Sequence, residues 1–109
     1  MPSYLLVEAR DPFDSADVDD FWDLARGLAD HGDDVTVYLV QNGVLPARAA
    51  SSAAGRLSEL AGTATVLADD FSLRERGIAT SDLAAGVSVS DIDSFVDRLM
   101  ADGTKVIWH

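Results

Sequence analysis

The sequence predicts an α/β protein, a three-layer α/β/α sandwich built on a mainly parallel sheet of four or five strands. Three observations predict it. Short apolar runs alternate along the chain with segments whose apolar residues recur at helical spacing. The run Val35-Thr36-Val37-Tyr38-Leu39-Val40 is β-branched and too continuous for a half-exposed strand, which fits a parallel strand covered on both faces. The chain has 109 residues and is 48% apolar, which suffices for one core and predicts a single domain over residues 1–109.

Each element follows from its residues. Ser3 to Ala9 reads as a buried strand, with Tyr4-Leu5-Leu6-Val7 ended by Arg10-Asp11-Pro12. The period then changes: Val18, Phe21, Trp22, Ala25, Leu28 and Ala29 form the stripe of a helix over 17–31. Ser15 or Asp17 is expected to cap it, Asp17, Asp19 and Asp20 suit the positive end of its dipole, and Gly32 suits its left-handed close. After the Val35–Val40 strand, Gln41-Asn42-Gly43 breaks the pattern. Pro46 can then start an Ala-rich helix from Ala47 to Leu60, weakened by Gly55 and expected to be broken or mobile.

Ala64 to Ala68 is a third strand, followed by Asp69 and Asp70 and a short helix around Phe71 to Arg76 that Gly77 closes. Ser90-Asp91-Ile92-Asp93 resembles a capping box with Asp93 in the glutamate position. Ile92, Phe95, Val96, Leu99 and Met100 form the apolar stripe of a last helix over 91–102, ended by Gly103, and Thr104 to Trp108 is the final strand.

Composition narrows the function. Nineteen acidic residues against eight basic ones leave a net charge of −11, which argues against nucleic acid as a partner and against an anionic membrane surface. Asp dominates Glu and Arg dominates Lys, the pattern of a salt-adapted surface or of coding bias. No apolar run approaches a bilayer span, and Met1 to Glu8 lack the features of a secretion signal, so a cytoplasmic location is the expectation. The chain has no cysteine, which excludes disulfides, thiolate metal sites and a cysteine nucleophile.

In an open parallel sheet, right-handed crossovers gather every strand's carboxyl end on one edge, where ligands bind. That edge receives Arg10, Asp11, Gln41, Asn42, Gly43, Asp69, Asp70, Trp108 and His109. No G-x-G-x-x-G or G-x-x-x-x-G-K-[ST] is present, so no nucleotide cofactor is implied. The Asp11, Asp14, Asp17, Asp19 and Asp20 cluster lacks the spacing of a calcium loop, and two histidines supply too few ligands for zinc, so no metal is expected. Ser51, Ser52 and Ser81 lack a G-x-S-x-G elbow.

Asp69 and Asp70 remain the candidate catalytic pair: adjacent carboxylates could act as acid and base, or one could cap the next helix while the other faces water. Arg74 and Arg76 are expected to pair with these aspartates. Arg10, Asp11, Gln41, Asn42 and Gly43 are the candidate ligand-binding residues, and Phe71 and Trp108 the candidate interface anchors beside a low-charge contact over 47–61.

Three places resemble the DsrE/DsrF/DsrH-like proteins of sulfur-relay systems. Asn42-Gly43-Val44 is similar to that family's glycine-valine turn. Leu73-Arg74-Glu75-Arg76-Gly77-Ile78 is similar to its short helix with an arginine-glycine end. Lys105-Val106-Ile107-Trp108 resembles the aromatic-ended last strand of the DsrH-type subunits.

The resemblance spans nearly the whole chain and implies assembly into trimers or hexamers, as a homo-oligomer or with related DsrE-type chains. It also implies a persulfide cysteine just past the third strand, a position that falls between Ala68 and Asp70, at Asp69. With no cysteine there, persulfide transfer by this chain alone is excluded. Two readings follow: a non-catalytic oligomeric subunit or binding module, or a small-molecule enzyme whose pocket uses Asp69, Asp70, Arg10 and Asn42.

Overall fold

A five-stranded, all-parallel sheet in the order β4-β3-β2-β1-β5 organises the computed structural model, which describes residues 3–109. Met1 and Pro2, part of the N-terminal stretch read above for a secretion signal, lie outside the described residues. The chain runs β1 (Ser3–Glu8), α1 (Asp17–Asp30), β2 (Asp34–Leu39), a 3-10 segment (Gln41–Ala47) and α2 (Ala54–Leu60). It continues through β3 (Thr65–Asp69), α3 (Asp70–Glu75), a 3-10 turn (Thr80–Asp82), β4 (Val87–Ser90), α4 (Ile92–Met100) and β5 (Thr104–Trp108).

Alternation along the strands divides the core. Leu6, Val35, Val37, Leu39, Val66 and Ala68 face α1, the first 3-10 segment, α2 and α3, and pack on Val18, Phe21, Trp22, Val44, Leu57 and Leu73. Leu5, Val7, Tyr38 and Leu67 face the other way, where Phe95 of α4 packs on them. One face therefore carries most of the helical cover, and a single nine-residue helix covers the other.

Several expectations at element ends change. Neither Ser15 nor Asp17 caps α1: its N-cap is Ala16, with no side-chain cap. Asp11 shapes the preceding turn instead, its carboxylate accepting the Phe13 N–H at 3.1 Å and its carbonyl accepting from Asp14 and Ser15. Pro46 lies inside the 3-10 segment rather than starting a helix, and the Ala-rich stretch is helical only over Ala54–Leu60. Asp91, not Ser90, caps α4, because Ser90 is the buried last residue of β4. Gly32, Gly77 and Gly103 do take positive φ at the helix ends.

The surfaces carry one finding and one larger correction. Of the five-residue apolar stripe of α4, only Phe95 is buried and Leu99 partly so, whereas Ile92, Val96 and Met100 are 62%, 45% and 78% exposed. Trp108 packs edge-on against Phe95 on this face. The 47–61 segment packs on the opposite face, so Trp108 is not beside it. Ala47, Leu57 and Leu60 are core residues, and the outer side of α2 carries the ion pairs Arg26–Glu59 and Arg56 with Asp19 and Asp23.

Candidate functional site

On the carboxyl edge, beside β5, stands a residue that the sequence reading passed over. Glu8 ends β1 with its side chain completely buried, on the face shared with Leu6. Its carboxylate accepts the Arg10 N–H at 3.1 Å and lies 2.8 and 2.9 Å from Nδ1 of His109. One proton is shared across this contact, between the Glu8 carboxyl and the imidazole Nδ1. The His109 ring stacks on Phe21 at 5.0 Å, and its backbone N–H donates to Val7.

The chain leaves β1 toward α1 on one face and enters β5 from α4 on the other, so this carboxylate–imidazole pair fills the switch point between β1 and β5. The signal was available: strict alternation from Leu6 puts Glu8 on an apolar face, where a carboxylate needs partners.

The turn after β2 is locked onto the same strand end. Val40 donates to the Glu8 carbonyl at 2.9 Å, and Gly43 lies so close to that carbonyl that no Cβ fits. The glycine of Asn42-Gly43-Val44 is thus a close-approach glycine with an ordinary negative φ, while Gln41 takes the positive φ of 51°. Gln41 is held there through its backbone N–H, which donates to Ser72 Oγ at 2.8 Å, and Ser72 Oγ donates to Asp69 at 2.7 Å.

Asp69 is therefore the N-cap of α3, also accepting the Ser72 N–H at 2.9 Å. Asp70 pairs with Arg74 at 3.2 Å in the first turn. Arg76, expected to pair with an aspartate, instead directs Nε and Nη2 to Asn42 Oδ1 at 3.2 and 3.1 Å and Nη1 to the Ser72 carbonyl. Ser72→Ala strands the Gln41 N–H and removes one partner of Asp69. It should cost about 1 kcal/mol in urea unfolding, the typical net worth of a part-buried hydrogen bond.

Tyr38 ties β2 to the other side of this edge. Its hydroxyl lies 3.5 Å from Asp69 Oδ1 and 3.3–3.4 Å from the carbonyls of Ser90 and Asp91. Burial pushes the Tyr38 phenol above its ordinary 10.0, and the Asp69 carboxylate adds to the rise. The Ser94 backbone N–H, 2.8 Å from Asp91 Oδ1, holds the Asp91 carboxyl below its ordinary 3.8.

A depressed folded-state value favours the fold above the unfolded value and is lost as pH falls through the folded one. The cap of α4 should therefore be intact above about pH 4 and weaken below it. Amide exchange at Ser94 and Phe95 should accelerate in that window, and Asp91→Asn should remove the pH dependence.

The aspartates line an apolar-walled cleft of about 370 Å³ with Phe71, Arg74, Asp91 and Ile92. Arg10, Asp11, Gln41, Asn42 and Gly43 do not line it, so the structure divides the predicted ligand-binding set from the predicted catalytic pair. Arg10 is exposed, Asp11 shapes its turn, Asn42 binds Arg76, and Phe71 and Trp108 are 60% and 61% exposed. Among the described residues no group of three His, Asp or Glu is placed to hold a metal ion, and no helix is long and apolar enough to cross a membrane.

An open parallel sheet with most of its helical cover on one face and a single helix on the other defines a small α/β/α sandwich. The family model described as "DsrH like protein" matches residues 11–104, and the chain belongs to this DsrH-like family. No curated protein matches the sequence significantly.

Among solved structures, the chain is similar to the protein of unknown function MTH1491 from Methanobacterium thermoautotrophicum. The two share 26% identity, with a TM-score of 0.81 over 99% of this chain and 98% of that one. The ychN protein from E. coli matches at 20% identity, with a TM-score of 0.86 over the whole of both chains, and shows the shared fold.

Proposed function

We propose that this protein is a non-catalytic oligomeric subunit related to the sulfur-relay proteins, assembling through its α4 face into trimers or hexamers with copies of itself or with related chains. One observation carries the reading: the sparsely covered face of the sheet presents Ile92, Val96, Met100 and Trp108 to the outside. An amphipathic helix that buries one residue of its apolar stripe in its own chain leaves the rest for a partner. Phe71, at the mouth of the adjoining cleft, and Trp108 supply aromatic anchors. The alternative, an enzyme built on Asp69 and Asp70, receives less support, because both carboxylates serve α3 as cap and first-turn ion pair.

Sedimentation equilibrium of the purified chain should give a mass several times 11.6 kDa. With −11 charges per chain, association should tighten as added salt screens the repulsion. Trp108→Asp should weaken assembly by about 2 kcal/mol or more while leaving the circular dichroism of the fold intact. A monomer at every salt and protein concentration contradicts the proposal.

A further inference from the structure

We infer a separate binding site for a small organic anion on the α1 side of the sheet, in the cleft between the 3-10 segment after β2 and the turn that follows α3. The cleft encloses about 360 Å³, within the range of small-ligand sites. Arg48 and Arg76 line it against one lining carboxylate, Asp82, while Glu75, outside the lining, lies 4.0 Å from Arg76 Nη1. In a chain of net charge −11 this is a locally cationic hollow.

The two arginines are prepared differently. Arg76 is held in place: its side chain is only 23% exposed, with Nε and Nη2 on Asn42 and Nη1 on the Ser72 carbonyl. Arg48 is anchored through Nε to the Leu45 carbonyl at 2.8 Å, and among the described residues no carboxylate lies within ion-pairing distance of it. Its two terminal amino groups form the planar fork that takes a carboxylate or phosphate oxygen pair.

The walls add a second requirement. Leu45 and Ile78 line the same hollow, so the ligand that fits best carries an apolar body behind its charged head. The frame is fixed by a short clasp between the two loops. Ala49 donates to the Asp82 carbonyl at 2.6 Å and Ala84 to the Ala47 carbonyl at 2.7 Å, around the antiparallel bridge of Arg48 with Leu83. Leu73 and Ile78 belong to the core cluster of the α1 side, so this site and the α4 surface stand on opposite faces of the sheet and succeed or fail independently.

Titration of the purified protein with acetate, butyrate and inorganic phosphate, followed by NMR shifts of the Ala49 and Gly77 amides, tests the site. Saturable binding is expected, with butyrate about threefold or more tighter than acetate because of the apolar wall. Phosphate outcompeting butyrate would assign a tetrahedral head to the ligand, and the reverse a carboxylate.

Arg48→Ala should weaken binding about tenfold, and Asp82→Asn should tighten it about threefold by removing the like charge. Arg74→Ala, an exposed arginine outside the cleft, should change it less than about twofold. Arg76 is left unchanged because it ties Asn42 to α3. No saturable shift with any of the three anions up to about 50 mM would overturn the inference, since that limit corresponds to negligible affinity. Equal binding by Arg48→Ala and the parent chain would overturn it as well.

Discussion

Gly43→Ala is expected to unfold the protein or to lower its stability by roughly 3 kcal/mol or more, the scale of overpacking against an unyielding neighbour. A Cβ at this position would overlap the backbone carbonyl of Glu8, and the Glu8 carbonyl carbon lies 3.0 Å away. Backbone atoms of a central strand cannot rotate aside as a side-chain tip can. The same carbonyl also accepts the Val40 N–H, so any retreat breaks the junction between β1 and the turn after β2.

Gly27→Ala is the matched control. Gly27 lies within α1, and a methyl group added there would meet nothing within 4 Å, so the change should stabilise by about 0.5–1 kcal/mol through helix propensity. Urea unfolding of the two variants should therefore shift in opposite directions. Equal small shifts would show that the close approach at Gly43 is relieved at little cost.

Glu8→Ala is expected to cost about 2–5 kcal/mol, the range for truncating a large, fully buried side chain. The loss has three sources: a cavity at the end of β1, an orphaned Arg10 N–H, and an imidazole Nδ1 without its partner. Glu8→Gln keeps the shape but replaces one of the two carboxyl oxygens that meet Arg10 and His109 with an amide NH2, so it should cost about 1–3 kcal/mol. The His109 ring should then lose its fixed stacking on Phe21, visible as averaged ring shifts in NMR spectra. Full stability of Glu8→Ala would mean that the pair contributes nothing to holding β5 beside β1.

The sequence made the interior strands legible and the edges less so. β1, β2 and β3 stand out as continuous apolar runs because both of their faces are covered, which is also why a parallel sheet could be expected. β4 escaped notice: Val87-Ser88-Val89-Ser90 is four residues long, half polar, and lies on the sheet's edge, where one neighbour suffices. The stripe of α4 is legible as apolar, but most of it is not core. Periodicity reports which residues avoid water, and it does not report whether the cover comes from the same chain.

The candidate site shows the same division. The capping role of Asp69 was one of two readings that its position after a strand allowed, and the structure shows the cap. The split between the Asp69–Asp70 cleft and the Arg10–Asn42 group was not legible, because it depends on which face of the sheet each loop leaves from. The partnership of Glu8 with His109 joins residues at opposite ends of the chain and becomes visible only once β5 is placed beside β1.

Assembly through the α4 face is the central claim, and hydrogen–deuterium exchange on dilute and concentrated samples of the same protein tests it most directly. Concentration should slow exchange in α4 and at Trp108 while leaving residues 47–61 unchanged, because only the former present an apolar surface without cover from their own chain. Protection that grew over 47–61 instead, or exchange rates independent of concentration throughout, would contradict the account.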